Sequence, residues 1–363
     1  MWWRGGGVVR SGDERAVDNA HSEHPVEAGR DTKVALVNAE VILRWLHHHG
    51  AAVSTSPVAL RLVARAAWLT GLVLTSPTAY GHRSSAVARF WLWQVWRRIS
   101  ARGLDVQVVD GTWLWVPPWS RIGGVIAALG TNEPCELAVL ADLLSPGDLV
   151  VDVGANIGTF TVALAAHGAQ VVAFEPAERA RDALQRSVER NDLTERVRVL
   201  PVALHDQRST VRFVTGNDVG NRIVEAPTSD SSDVVWVDTD RLDTVVEEHP
   251  DVFDRPISVL KIDAEGADKA VLRGALATLS ADRPVVMVET WGGGSTIRDL
   301  LASLGYDGFL LDGGGRGIRP VPADWRGQAN LLFVHRSATD VRTQLLAWHL
   351  SDRPLPRVRV PRR

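Results

Sequence analysis

Val150-Val151-Asp152-Val153-Gly154-Ala155-Asn156-Ile157-Gly158-Thr159-Phe160 reads as an apolar strand that breaks at a glycine turn and enters a helix. In a doubly wound α/β sheet such a turn faces the crevice at the carboxyl ends of the strands, where ligands bind. Gly154 lets a ligand approach the backbone closely, and Gly158 lets the helix pack tightly on the strand. The pattern is D-x-G-x-x-x-G, not the dinucleotide-binding G-x-G-x-x-G. A pyrophosphate needs a tightly wound nest of N–H groups, whereas this wider loop suits a neutral or zwitterionic ligand arm. The next strand ends at Glu175-Pro176, where a carboxylate can accept both ribose hydroxyls of a nucleoside. The plainer account is a tight turn at the glycines and a helix N-cap neighbour at Glu175. A nucleoside without a phosphate nest points to S-adenosylmethionine. Asp152 is then suited to orient the loop or to meet the methionine ammonium through water. For a hydroxyl acceptor the enzyme supplies position, a desolvated path and a base.

Outward from this turn, short β-branched runs alternate with helical stretches. The runs are Leu149–Val153, Gln170–Phe174, Val197–Pro201, Ser258–Ile262, Pro284–Glu289, Gly308–Leu311 and Asn330–His335. Amphipathic segments such as Ala177–Asn191 and Asp268–Leu279 lie between the earlier ones. This βαβα order implies a mostly parallel sheet with helices on both faces. The last two runs lack room for a helix between them, so an antiparallel terminal hairpin is expected.

The chain has 363 residues, 45% hydrophobic and 23% charged, which excludes a disordered chain, a collagen and a coiled coil. A net charge of −3 lacks the basic footprint of a nucleic-acid binder. Cys135, the single cysteine, excludes a disulfide scaffold. Residues 1–30 show no apolar signal core, and the uncharged stretch Ala66–Gly81 contains Pro77 and is too short to span a bilayer. A cytoplasmic protein with no transmembrane segment is expected. Ten of the 14 tryptophans precede residue 125. Residues 33–105 read as helical, Phe90–Ile99 is apolar almost all round, and Val106–Val116 alternates about Asp110-Gly111 as a short hairpin would. The expected organisation is a tail over 1–30, a helical Trp-rich extension over 31–130, a sheet domain over 131–337, and a C-terminal helix with a basic tail over 338–363.

The second informative stretch is Val259-Leu260-Lys261-Ile262-Asp263-Ala264-Glu265-Gly266-Ala267-Asp268, again a strand running into a turn and helix. Lys261, Asp263 and Glu265 share one face if the strand continues that far. Charges beside the crevice are costly unless paired or functional. With Glu289 at the end of the following strand, four ionisable groups converge on one sheet edge.

These pieces resemble the FkbM family of S-adenosylmethionine-dependent methyltransferases. The matching residues are Glu133-Pro134, Gly147-Asp148 through Gly158, Phe174-Glu175-Pro176, Val202-Ala203-Leu204 and Leu242-Asp243. They continue through Lys261–Gly266, Leu272–Ala275, Arg283-Pro284 with Glu289, and Asn330–Val334. Together they cover about residues 130–336 in the family's order. Asp268 stands where the family commonly has Glu. The resemblance implies a class I methyltransferase fold, Rossmann-like, with a seven-stranded mostly parallel sheet, and the N-terminal helical extension read from composition lies upstream of it. It also implies O-methylation of a hydroxyl on a small molecule, natural product, glycan or lipid.

On this reading Gly154, Ala155, Asn156 and Gly158 meet the methionine arm, Glu175 with Pro176 the ribose, and Ala203 the adenine edge. Glu133 either reaches the cofactor's amino-acid end or is a surface acid before a helix. Asp263 is the first choice near the transferred methyl or acceptor hydroxyl, with Glu265 and Lys261 beside it. An ordinary carboxylate is too weak a base for an alcohol, so burial or a partner must raise its pKa. The plainer account is a structural Lys261–Asp263 or Lys261–Glu265 pair. His205 is an alternative base. Asp238, Asp240 and Asp243 read as loop acids and His47–His49 as a helical run, so no metal is expected. The Trp-rich extension has two readings: a cover over the acceptor pocket or homodimer contact, or a subdomain packing its own core. The competing functions are an NAD-dependent oxidoreductase, which the missing G-x-G-x-x-G disfavours, and a non-catalytic interaction module on the same fold.

Overall fold

A computed structural model describes residues 83–109, 111–215, 222–223, 234–290, 295–311, 318–322, 324–325, 327 and 329–350, with residues 70, 71, 73 and 74. The tail over 1–30, the histidines at 47–49 and the basic end at 353–363 lie outside the described residues. Helix α1 (Arg83–Ile99) leads into the hairpin β1 (Leu104–Val109) and β2 (Thr112–Val116), then α2 (Gly123–Leu129) and α3 (Pro134–Leu143). The hairpin forms where the alternation placed it, and the helical reading ends at Ile99.

The alternating region follows as β3 (Leu149–Val153), α4 (Thr159–Ala166), β4 (Gln170–Phe174), α5 (Glu178–Arg190) and β5 (Val197–Leu200). Next come β6 (Ala203–Leu204), β7 (Ser209–Val214), β8 (Arg222–Ile223) and β9 (Val234–Asp240). The chain returns through α6 (Leu242–Glu248), β10 (Ile257–Ile262), α7 (Asp268–Arg273), α8 (Leu276–Ala281) and β11 (Val285–Thr290). It ends with α9 (Ser295–Ser303), β12 (Tyr306–Leu311), β13 (Ile318–Pro320), β14 (Ala329–His335) and α10 (Thr339–Leu350).

The main sheet runs β13-β12-β14-β11-β10-β3-β4-β5. The five strands from β11 to β5 are mutually parallel, and β14 lies antiparallel between β11 and β12. Seven strands were expected and eight are present. The addition is β13, whose three residues pair antiparallel with β12 and are too few to carry an alternation pattern. Successive strands step from β3 to β5 on one side and from β10 to β11 on the other. The order therefore reverses between β3 and β10, which is where an open α/β sheet holds its ligand.

Side chains of alternating parity fill two cores. Val150, Val171, Val259 and Met287 share one face with residues of α3, α4 and α5. Val151, Val172, Leu260 and Val286 share the other with α6 to α9. Burial on both faces explains why these strands read as continuous apolar runs. The helical segment expected over Asp268–Leu279 is two helices, α7 and α8, meeting where Gly274 lies against the His205 carbonyl. Asp243, read as a loop acid, is buried. It accepts the N–H groups of Ala277 and Thr278 and the Thr278 hydroxyl, and so caps α8.

The Trp-rich hairpin docks on α5. Asn191 accepts the Trp113 N–H at 2.7 Å and donates to the Trp113 carbonyl at 2.6 Å, and Ser187 Oγ accepts the Trp115 N–H at 2.9 Å. Arg186, Arg190 and Arg179 stack over Trp115, Trp113 and Trp119 at 4.6, 5.5 and 5.0 Å. The open edge of β2 is thereby covered, which blocks further strand pairing there. Trp93, Leu114 and Ile126 join the same core as Leu164 and Leu184.

Candidate active site

The crevice between β3 and β10 opens into a half-open cleft at the carboxyl ends of the strands. Gly154, Asn156, Glu175, Pro176, Ala203, Asp263 and Glu265 line it. Asp152, Ala155, Gly158, Lys261 and Glu133 do not, and act from behind or beside the wall.

The glycine loop is fixed by the strand ends around it. The N–H groups of Gly154 and Ala155 both donate to the Phe174 carbonyl, at 3.0 and 3.1 Å. Gly154 has φ 73°, and a Cβ there would lie 1.9 Å from the Asp263 carbonyl oxygen. Its smallness serves the close approach of the β10 loop, in addition to any ligand. A Cβ on Gly158 would meet Leu184 of α5 at 2.5 Å, so this glycine admits a neighbouring helix rather than its own strand.

Glu175 is buried at the end of β4. Its Oε2 accepts the Asn156 N–H and its Oε1 the Ala177 N–H, each at 2.8 Å. Each oxygen keeps a further acceptor position. Burial pushes its pKa up to about 7, against the pull of the two N–H groups and Lys261. Glu133, half-buried, is also pushed up to about 7 by burial, which Lys261 offsets and Asp263 reinforces. It accepts from Asn330 at 2.6 Å and from Asn132 at 3.0 Å. For such acids the folded pKa exceeds the ordinary 4.5. Their contribution to stability is therefore intact below that value and lost as pH rises through about 7.

Lys261 is the buried hub. Its ammonium lies 3.2 Å from Asp152 and 3.6 Å from Asp263, and donates to the Gly154 carbonyl at 3.3 Å. Phe160 covers it at 5.2 Å. Burial works against the charge, but Asp152, Asp263 and Glu133 outweigh it and hold Lys261 above the ordinary lysine range. Asp152 is also bound by the Thr161 hydroxyl at 2.6 Å, beneath the loop and away from the cleft.

The expected shared face of Lys261, Asp263 and Glu265 does not form. The strand ends at Ile262, Asp263 N–H is bound to the Val153 carbonyl, and Glu265 turns to φ 46°. Asp268 shapes this turn by accepting the N–H groups of Ala264 and Gly266, at 2.9 and 3.2 Å. Asp263 and Glu265 still reach the cleft from the loop. His205 does not line it, and pairs with Asp206 at 2.8 Å. Among the described residues no cluster of His, Cys, Asp or Glu could hold a metal ion.

One wall was not foreseen. The strands β6-β9-β7-β8 form a second sheet, and its Phe213 and Ile223 line the cleft together with Phe174 and Val202. The alternation in Ser209–Val214 is the only sequence signal of that wall, and a two-residue β8 gives none. Asn330, which ties β14 to Glu133, was quoted only as part of a matching run.

The fold and the cleft are those of a Rossmann-like α/β domain with a ligand crevice at its strand-order reversal. The FkbM methyltransferase domain matches residues 152–307. A methyltransferase of Sordaria araneosa, sdnD, is 31% identical over 195 residues, covering 45% of this chain and 75% of that protein. The chain belongs to the FkbM methyltransferase family. Among crystal structures, the FkbM methyltransferase of Methylobacillus flagellatus is similar with 16% identity and a TM-score of 0.37, over 69% of this chain and 60% of that one. The tRNA (uracil-54, C5)-methyltransferase of Pyrococcus abyssi, determined with S-adenosylhomocysteine, has 13% identity and a TM-score of 0.35, over 64% and 43%.

Proposed function

We propose that the protein is an S-adenosylmethionine-dependent O-methyltransferase acting on a hydroxyl of a small molecule, natural product or glycan. The observation that carries this reading is the cleft at the strand-order reversal, with Glu175 on one side and the Asp263 loop on the other. The residues fit the cofactor: apolar Phe174, Val202, Phe213 and Ile223 suit an adenine, and the free acceptor positions of Glu175 suit ribose hydroxyls. Gly154 and Asn156 of the glycine loop would hold the methionine arm. When bound, S-adenosylmethionine supplies an activated methyl group. Asp263 takes the acceptor hydroxyl's proton as the O–CH3 bond forms, when that proton is far more acidic than in the free alcohol and an ordinary carboxylate suffices; Glu265 flanks it, and Lys261 is a positioning residue that holds Asp263.

Glu175→Ala is expected to weaken S-adenosylhomocysteine binding at least about tenfold in calorimetry, since it removes charge-assisted bonds at a buried position. Unchanged affinity would sink the cofactor assignment. Label transfer from isotopically marked S-adenosylmethionine to cell-extract components, read by mass spectrometry, tests the activity itself. With the product so found as readout, Asp263→Asn is expected to slow transfer about a hundredfold while S-adenosylhomocysteine affinity changes little. An equal loss of both would make Asp263 a cofactor-binding or structural residue. Cofactor binding without any labelled product would instead favour the interaction-module reading.

A further inference from the structure

Helix α1 is anchored on one side and apolar on the other. Its inner residues Phe90 and Trp93 are buried against the start of α2, so closely that a Cβ on Gly123 or Gly124 would meet those rings at 2.7 and 2.9 Å. A surface helix fixed in this way normally turns polar residues outward. Here Leu92, Val95 and Ile99 are 68%, 55% and 75% exposed. At 100° per residue they form one stripe, with Arg98 on one flank and Arg89 on the other. Arg89 reaches back to the Ala127 and Ala128 carbonyls at 3.2 and 2.6 Å, and so fixes the helix to α2.

Charge selects the occupant. From residue 83 to residue 104 the chain contains five arginines and no aspartate or glutamate. A second copy seated on this stripe would bring the arginines of one α1 against those of the other, with no carboxylate from either helix between them. A surface of phosphate groups over hydrocarbon offers what the stripe lacks: apolar depth for the leucine, valine and isoleucine, and anions for the flanking guanidiniums. Among the described residues no helix is long and apolar enough to cross a membrane, and at 17 residues α1 suits lying in the interface plane.

We propose that the outer face of α1 is the protein's contact with an anionic membrane surface. The test is co-sedimentation of the full chain with vesicles of phosphatidylcholine alone and of phosphatidylcholine with about a third phosphatidylglycerol. Binding is expected on the anionic vesicles, falling as salt is raised. Arg98→Gln should weaken partitioning about fivefold. Leu92→Glu with Val95→Glu, or Ile99→Ser alone, should also weaken it, with unchanged circular dichroism because these positions are exposed. Three results would overturn the proposal. One is absence of binding to the anionic vesicles. Another is binding indifferent to every one of these changes, which would place the contact elsewhere in the chain. The third is ultracentrifugation in which Leu92→Glu with Val95→Glu breaks a dimer, which would make the face a seat for a second copy.

Discussion

Replacing Gly154 by alanine is expected to lower the melting temperature by roughly 10 °C and to weaken S-adenosylhomocysteine binding at least about tenfold. Two costs combine. An alanine at φ 73° is strained by about 1–2 kcal/mol. Its methyl group also lands 1.9 Å from the Asp263 carbonyl oxygen. That oxygen cannot retreat freely, because the Asp263 N–H is bound to the Val153 carbonyl at 3.0 Å. The junction of β3 with β10 must therefore open, and it is the floor of the cleft. Thermal unfolding with and without S-adenosylhomocysteine reads both effects. A variant that melts like the parent, with the same ligand-induced shift, would show that the two loops are not locked together.

Lys261→Met should cost about 3–5 kcal/mol, because it leaves a buried carboxylate without its cation. Asp152 would keep only the Thr161 hydroxyl, and Asp263 and Glu133 would face each other without the charge between them. Lys261 is also what holds Glu133 down against burial and Asp263, so in the variant Glu133 moves above about 7. Acid then relieves the cluster. The deficit relative to the parent protein should shrink as pH is lowered from 8 toward 5, on the order of the whole effect. Chemical denaturation at several pH values checks this. A deficit that is constant across that range would mean that Lys261 contributes through its packing on Phe160 rather than through its charge.

How far the sequence could be read depends on where each residue is buried. The strands of the main sheet were legible because both faces are covered, which leaves unbroken apolar runs such as Leu149–Val153. The place of Glu175 in the cleft was legible because its strand ends at the carboxyl edge of the sheet, and its hold on the Asn156 and Ala177 N–H groups is the structural use that the plainer account allowed. The wall made by Phe213 and Ile223 was not, because β8 has only two residues and β7 takes its other partner, β9, from farther along the chain. Gly154 was assigned to ligand approach, since only the fold brings the Asp263 carbonyl into the space its missing side chain would fill. Lys261 was read beside Asp263, and Asp152 as orienting the loop or meeting a methionine ammonium. Neither lines the cleft: the two pair with each other beneath the glycine loop, and spacing along a strand does not tell which side of that loop a residue takes. The aspartates at 240 and 243 show the reverse error. Their density suggests a solvated loop, whereas Asp240 pairs with Arg208 at 2.7 Å and Asp243 caps a helix.

The fit of Gly154 against Asp263 also sets an order of assembly during synthesis. The two residues lie about a hundred positions apart, so β3 emerges from the ribosome long before its neighbour β10 exists. Until then one side of β3 is an unpaired edge, and the half that carries the glycine loop has no opposing wall. A nascent chain halted between residues 200 and 250 would hold β3, β4 and β5 but no cleft. Affinity for a nucleoside ligand should accordingly arise late and abruptly, when the lysine-bearing strand slots into the middle of the sheet.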